Sequence, residues 1–256
     1  MTRRNLLSTA AGTAALSSGL LAGGPGNAIL ELRTFRLRNG PQVSRTQEFL
    51  SKHFLPAAQR AGIGPLGFFG ALVAPESPSV LCLLSYPSLA AMGTALEKLA
   101  ADKAYAAAAD AYDSEPGYVR MESSLFRAFD GAPQVEAPPA GEGHASRIFE
   151  LRTYESNTAK TLRRKIKMFE DGEIAIFRRA GLLPVFFGEA LVGRNLPNLT
   201  YMVAFDGMEA REKAWAAFGR DPEWQKLRAQ PGLSDAEIVS NISNSILRPL
   251  VFSPIR

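Results

Sequence analysis

The sequence is poor in the residues that most often build metal and nucleophile sites. Its 256 residues include one cysteine and two histidines, so an internal disulfide is excluded and a zinc cluster is not predicted. It contains no Gly-x-Ser-x-Gly motif, no metal-spaced histidine pair and no glycine-rich nucleotide loop. The composition is otherwise ordinary, 46% hydrophobic and 21% charged, which excludes collagen-like and wholly disordered chains.

Acidic residues are missing from the start of the chain, where the first is Glu31. Arg3 and Arg4 precede a modest apolar run, Leu6 to Leu21, and a small-residue end at Ala28. This layout is typical of an export signal, and Thr-Arg-Arg-Asn-Leu-Leu resembles the twin-arginine (Tat) type. We therefore predict that residues 1–28 are a signal peptide and that the mature protein is periplasmic or secreted. The alternative is a disordered cytoplasmic N-terminus.

Long apolar runs are also missing. Ser, Thr and Gly interrupt the run Leu6 to Leu21, which makes it too polar for a stable membrane span. The basic stretch Arg163 to Lys167 is followed closely by acidic residues, so it is predicted to be a solvated helix face. Nucleic-acid binding is not predicted.

The chain contains two copies of one unit. Ile-Leu-Glu-Leu-Arg-Thr-Phe at 29–35 returns as Ile-Phe-Glu-Leu-Arg-Thr-Tyr at 148–154, 119 residues later. Phe-Phe-Gly at 68–70 returns at 186–188 with a slip of one residue. Ordered matches at nearly constant spacing indicate a tandem duplication.

The duplication defines the domains. We place the first copy at 29–129, a Gly/Pro/Ala-rich linker at 130–147 and the second copy at 148–256, with His144 as a solvated linker residue. Each copy is predicted to run strand, helix, hairpin, helix, strand, which is the βαββαβ order of a ferredoxin-like unit. Such a unit leaves one sheet face uncovered. The predicted fold class is therefore α+β, with two ferredoxin-like units pairing into an intrachain barrel.

Three motifs recur in these copies. They are Glu-Leu-Arg-Thr-Phe/Tyr, the Phe-Phe-Gly hairpin and a late Asp-x-x-Tyr/Trp, present as Asp102 with Tyr105 and Asp221 with Trp224. Together they resemble the NIPSNAP family over residues 29–252. The resemblance implies a dimeric α+β barrel. It implies little chemistry, because the family is linked to varied mitochondrial, vesicle-associated and signalling roles, and exported bacterial members resemble proteins of unassigned activity.

Charged and aromatic residues of the repeated strand are candidate ligand-binding residues. Leu30 and Leu32 are expected to meet the helices. Glu31 and Arg33, which alternate with them along the strand, would then point into the barrel. There they would form a polar floor with aromatic walls for an anion or polar ligand. The alternative is a structural ion-pair network joining the halves. The candidates are Glu31, Arg33, Phe35, Glu150, Arg152 and Tyr154.

His53 is the one histidine inside a predicted folded unit, and it falls on the first helix. It is a candidate catalytic base or haem ligand, which makes haem a candidate cofactor. The alternative is a packing or surface histidine, and the second copy has Gly172 in its place. Cys82 is predicted to be a buried, inert thiol.

The sequence does not define a reaction. The leading hypothesis is an exported, non-catalytic module that binds a small, partly apolar ligand or an envelope protein. The alternative is a cofactor-light monooxygenase or haem-handling enzyme of the same barrel group. Structural assembly through sheet edges, and a homo-oligomer, stay open. No metal ion is predicted.

Overall fold

A computed structural model describes residues 26–139 and 147–256. Most of the predicted signal peptide, and His144, lie outside them. The elements of the first copy are β1 (Ile29–Arg36), α1 (Pro41–Phe49), α2 (Leu55–Ala61), β2 (Leu66–Val73), β3 (Ser79–Tyr86), α3 (Leu89–Ala101), α4 (Lys103–Asp113) and β4 (Arg120–Ala128). Those of the second are β5 (Ile148–Glu155), α5 (Ala159–Met168), α6 (Ile174–Arg179), β6 (Leu183–Val192), β7 (Asn198–Phe205), α7 (Met208–Arg220), α8 (Pro222–Arg228), α9 (Asp235–Ile238) and β8 (Asn241–Pro249).

The strands close into one barrel in the order β1-β3-β2-β8-β5-β7-β6-β4. Within each copy the sheet order is that of a ferredoxin-like unit, and neighbouring strands are antiparallel. The halves join where β2 pairs with β8 and β4 pairs with β6, so edge strands of each copy are covered by the other. The predicted fold class is confirmed.

Three apolar clusters follow from the alternation of side chains along the strands. One lies between each sheet and its own helices, and the third fills the barrel with side chains from both copies. Phe69 and Phe149, one from each copy, meet there with ring centroids 4.7 Å apart. Burying such a ring contributes about 1.5–3 kcal/mol. The two copies therefore share a core.

The face predicted for the charged residues was wrong. Leu30 and Leu32 lie inside the barrel, whereas Glu31 and Arg33 face the helices. The physical reason is that the interior at this level is packed with apolar side chains, while the helix side offers hydrogen-bond donors such as Trp215 of α7. The charged pairs also do not join the halves, because the hydrogen bonds found for them stay within their own copy.

The first helix of each copy contains a π-helical turn, at Leu50–Phe54 and at Phe169–Glu173. The sequence predicts a kink at Pro56, which lies in the first turn of α2. The equivalent residue in the second copy is Ala175, and the π turn forms there as well. The widened turn therefore belongs to the repeat and not to the proline. Such turns are common near functional sites.

An arginine–aspartate pair fixes the late helix of each copy. Asp221 accepts hydrogen bonds from two backbone N–H groups of α8, and Pro222 follows it as the first residue of the helix. The hydrogen bond from Arg179 lowers the pKa of Asp221 to about 2. Asp102 likewise caps α4 and pairs with Arg60. The repeat thus ties α2 to α4 and α6 to α8.

Residues on either side of the first copy cover the apolar end of the barrel. The Ala28 N–H donates to the Pro133 carbonyl at 2.9 Å, and the Ala28 carbonyl accepts from Ala128 at 2.9 Å. The Glu136 N–H donates to the Val185 carbonyl at 2.8 Å. Ala28 and the start of the predicted linker are therefore part of the folded barrel. Among the described residues, no helix combines the length and apolarity that crossing a membrane requires.

Candidate functional site

The first copy has a cavity of about 130 Å³ between its sheet and helices. Its floor comes from β1 and β3, and its walls come from α1, the π turn and α4. The lining is largely aromatic and includes one cation. The residues are Arg33, Phe35, Phe49, Leu50, Phe54, Cys82, Tyr105, Ala109, Tyr112, Asp113, Tyr118 and Met121.

Arg33 is the cation in this lining, and Glu31 holds it in place. The Arg33 Nε donates to Glu31 Oε1 at 2.8 Å, and Nη2 lies 2.8 Å from the same oxygen. Burial lowers the pKa of Arg33, but the charge and hydrogen bond of Glu31 outweigh burial and leave it raised, so the guanidinium stays charged. Within the described residues no hydrogen-bond partner is found for Nη1, which leaves that donor available to a ligand.

Glu31 is buried and takes no direct part in the lining. Besides Arg33, it accepts hydrogen bonds from the Tyr86 hydroxyl at 3.1 Å and the Ser123 hydroxyl at 2.8 Å. Burial, with the adjacent Glu31 carboxylate, raises the pKa of Tyr86, so this hydroxyl remains a donor at neutral pH. Glu31 therefore orients the arginine.

Aromatic rings form the walls around Arg33. Phe49 stacks on Tyr112 with centroids 4.4 Å apart and lies 6.0 Å from Tyr105. Phe35 meets Tyr118 edge to face at 5.4 Å. Planar faces next to a charged guanidinium favour a planar ligand that carries an acceptor group.

Cys82 lies in the cavity floor directly across the strand pair from Arg33. Burial raises the pKa of the Cys82 thiol to about 12, and the partial offset from Arg33 is too small to reverse this. The thiol is therefore neutral at physiological pH, as the sequence predicts, and it is not a nucleophile.

The equivalent place in the second copy is filled. Tyr201 stands opposite Arg152, where the first copy has Cys82 opposite Arg33. Tyr201 is fully buried, and its hydroxyl donates to the Tyr154 hydroxyl at 3.0 Å. The extra ring occupies the volume that is open in the first copy.

Lys165 also fills the second copy. Its ammonium lies 5.2–5.5 Å from the ring centroids of Tyr154, Phe169 and Trp224, which surround it. It pairs with Glu173 and Asp235, each at 3.3 Å. The first copy has Thr46 at this position, with its hydroxyl bonded to Gly117 and Tyr112.

Glu150 is the centre of a hydrogen-bond network in the second copy and is fully buried. Oε1 accepts from Arg152 at 2.9 Å, Arg211 at 2.9 Å and Asn244 at 3.1 Å. Oε2 accepts from Arg211 at 2.7 Å and from the Trp215 indole at 2.8 Å. Both carboxylate oxygens are thus hydrogen-bonded within the protein and are not accessible to a ligand.

The structure thus separates the candidates that the sequence groups together. Arg33 and Phe35 line the cavity with Glu31 beneath them, whereas Glu150, Arg152 and Tyr154 lie in a packed cluster. His53 is exposed on the π turn, 6.3 Å from the Phe49 ring, and does not line the cavity. Its catalytic or haem-ligating role stays a prediction.

Sequence reasoning missed most of the cavity wall. Tyr105 and Tyr112 lie on α4 seven residues apart, a spacing that puts both on one helix face. That spacing could have identified them as a pair. Phe49 and Tyr118 come from α1 and the loop before β4, so their meeting with α4 depends on the tertiary fold.

A family model described as NIPSNAP matches residues 30–133 and, separately, residues 149–254. The chain belongs to the NIPSNAP family. The two matches follow the two halves of the barrel, so this is a tandem NIPSNAP chain. No curated protein matches it.

Several solved structures are similar to this chain at low identity. A "putative monooxygenase" from Fusobacterium nucleatum is 11% identical, with a TM-score of 0.59 over 88% of this chain and 93% of that one. An anthrone oxidase-like protein is 10% identical, with a TM-score of 0.53 over 88% of this chain and 92% of that one. An uncharacterized NIPSNAP-like domain protein from Burkholderia xenovorans is 25% identical, with a TM-score of 0.39 over 43% of this chain and 91% of its own. The first two show a common fold alone.

Proposed function

We propose that this protein is an exported binding protein whose first copy holds a small, partly apolar aromatic molecule with an acidic group. The observation that carries the proposal is that Arg33 lies in a cavity walled by aromatic rings and that its Nη1 has no hydrogen-bond partner among the described residues. A guanidinium held by a buried carboxylate is already oriented, so little entropy is lost when it binds an acceptor.

The size of the cavity limits the ligand. Its volume is about 130 Å³, and a cavity of about 150 Å³ in another protein accommodates benzene. A single ring is therefore about the largest group that the cavity can enclose, and the acidic group of the ligand would lie at Arg33. A tetrapyrrole is several times larger, and His53 lies outside the lining, so the geometry gives the haem-handling alternative less support.

The two polar groups in the cavity floor, Arg33 and Cys82, favour binding over catalysis. Arg33 is permanently charged and the Cys82 thiol is kept neutral by burial, which raises its pKa to about 12. Neither group is suited to exchange a proton near neutral pH. The cofactor-light monooxygenase predicted as the alternative is the second candidate, and a "putative monooxygenase" shares the fold at 11% identity.

Replacing Arg33 by leucine is expected to weaken benzoate binding about tenfold, or about 1.4 kcal/mol, because one charge-assisted hydrogen bond is lost. Benzyl alcohol, which has the same ring without the charge, is expected to bind within about twofold of its wild-type affinity. Isothermal titration calorimetry measures both.

The second copy provides the matched control. Arg152→Leu makes the same change where the cavity is filled, so benzoate affinity is expected to stay at the wild-type value once circular dichroism shows a folded protein. A Cys82→Phe variant, which places a ring where Tyr201 lies in the second copy, is expected to block both ligands. Equal benzoate affinity in wild type and Arg33→Leu would contradict the proposal.

Export is the second part of the proposal and is supported by the twin-arginine start of the sequence. Because Ala28 is fully buried and hydrogen-bonded to Pro133 and Ala128, we expect cleavage upstream of Asn27, which shortens the signal peptide that the sequence places at residues 1–28. N-terminal sequencing of protein recovered from the envelope is expected to begin before Asn27. Recovery of envelope protein that still begins at Met1 would refute the cleavage.

A further inference from the structure

The end of the barrel opposite Ala28 is open and polar. A cavity of about 380 Å³ enters the barrel there, between the two copies. A neighbouring hollow of about 200 Å³ shares several of its lining residues, including Thr34, Thr153 and Ser243. These residues lie on strands of different copies, so the cavity exists only because the barrel is closed.

Side chains in this cavity change from apolar to hydroxyl-bearing toward the opening. Leu32, Leu81, Leu151 and Phe126 form the floor. Two residues further along each strand the lining is polar. The next interior-facing residue after Leu32 on β1 is Thr34, and the next one after Leu151 on β5 is Thr153. The hydroxyl and amide groups around the opening belong to Thr34, Ser124, Thr153, Asn198, Thr200 and Ser243.

Some of these hydroxyls are already paired and others are free. Thr153 and Thr200 hydroxyls lie 2.8 Å apart, and Thr200 donates to Asn198 at 3.3 Å. Within the described residues no side-chain hydrogen bond is found for Thr34, Ser124 or Ser243. Each free hydroxyl can both donate and accept, which matches another hydroxyl and gives no preference for a charge.

Charged groups at the rim are occupied by one another. Glu122 is 2.9 Å from Arg194, 3.5 Å from Arg120 and 3.6 Å from Arg36. Arg36 and Arg120 also pair with Glu76, at 3.1 and 3.5 Å. A charged ligand would have to compete with these ion pairs.

We propose that this end of the barrel binds a small, uncharged molecule rich in hydroxyl groups, of the size of a mono- or disaccharide. The ring of free hydroxyls would bond the ligand hydroxyls, and the leucine floor would receive the C–H face of the sugar ring. A volume of about 380 Å³ lies within the range of small-molecule sites. This site is separate from the Arg33 cavity of the first copy.

A ligand-observed NMR titration of the full mature chain with methyl glucoside and sucrose tests the proposal. Saturation transfer to the sugar C–H protons is expected. The double change Thr34→Val with Ser124→Ala, which removes two hydroxyls that have no partner among the described residues, is expected to weaken binding about tenfold, because two hydrogen bonds to the sugar are lost.

A steric variant keeps the test independent of folding defects. Ser243 is exposed at the opening, so Ser243→Trp can place a ring across it without disturbing the core, and it is expected to abolish saturation transfer. Ser44→Trp, at an exposed position of helix α1, is the matched control and is expected to bind as the wild type does. Benzoate binding at Arg33 is expected to survive Ser243→Trp. Absence of transfer to both sugars in the wild type, or unchanged transfer in Ser243→Trp, would overturn the proposal.

Discussion

Replacing Glu150 by alanine is expected to lower the free energy of unfolding by about 3–5 kcal/mol. The carboxylate is fully buried and accepts hydrogen bonds from two arginines, an indole and an amide. Removing it leaves Arg152 and Arg211 facing each other in a partly buried site without a counter-charge. Urea denaturation at pH 7, followed by circular dichroism, measures the change.

The pKa of Glu150 supports this expectation. Burial raises it, but the hydrogen bonds from Arg211, Trp215 and Arg152 outweigh burial and leave the pKa below its ordinary value. A carboxylate with a lowered folded-state pKa stabilises the fold above its unfolded pKa and loses that contribution as the pH falls. The cost of Glu150→Ala is therefore expected to shrink in acid.

The equivalent change in the first copy is the control. Glu31 accepts from one arginine and two hydroxyls, so Glu31→Ala leaves a single cation unpaired beside a cavity that is open to water. Its cost is expected to be about 1–3 kcal/mol. Equal losses of unfolding free energy in the two alanine variants would show that the additional hydrogen-bond partners of Glu150 add nothing to stability.

Glu173 is expected to make the fold less stable as the pH rises from about 5 to 8. Burial raises its pKa to about 7, and the charge of Lys165 only partly offsets this. Because the folded-state pKa lies above the unfolded value, the folded protein holds the extra proton, and stability falls as the pH rises through that range. The difference between the two pKa values corresponds to about 3 kcal/mol.

The Glu173→Gln variant is the test, because glutamine resembles the protonated acid. Its stability relative to the wild type is expected to increase by about 2–3 kcal/mol between pH 5 and pH 8. Asp171→Asn changes an exposed carboxylate on the same π turn and is expected to leave the pH profile unchanged. If the free energies of unfolding of Glu173→Gln and the wild type differ by the same amount at every pH, the pKa of Glu173 is not raised.

The architecture of this protein could be predicted because its determinants are local or repeated. The strand that begins each copy, the Asp221–Pro222 cap and the hairpins are each specified within a few residues. Because the unit occurs twice and each copy leaves one sheet face uncovered, the pairing of the two sheets could also be predicted. The matches at 30–133 and 149–254 agree with this interpretation.

The site could not be predicted because its determinants are distant in sequence. Alternation along β1 separates Glu31 and Arg33 from Leu30 and Leu32 but does not say which face the helices cover. That choice depends on partners such as Arg211 and Trp215, about sixty residues from Glu150. The cavity also depends on the small Cys82 side chain, where the second copy has Tyr201. The strand register is needed to see that these two residues lie opposite Arg33 and Arg152.

Joining the halves of the barrel in one chain frees them from having to be identical. In a barrel made from two identical subunits, every substitution occurs twice and both cavities change together. Here Tyr201 and Lys165 could fill one half while Cys82 and Thr46 kept the other open. One half is thus packed while the other keeps a cavity, a difference that a symmetric assembly cannot encode.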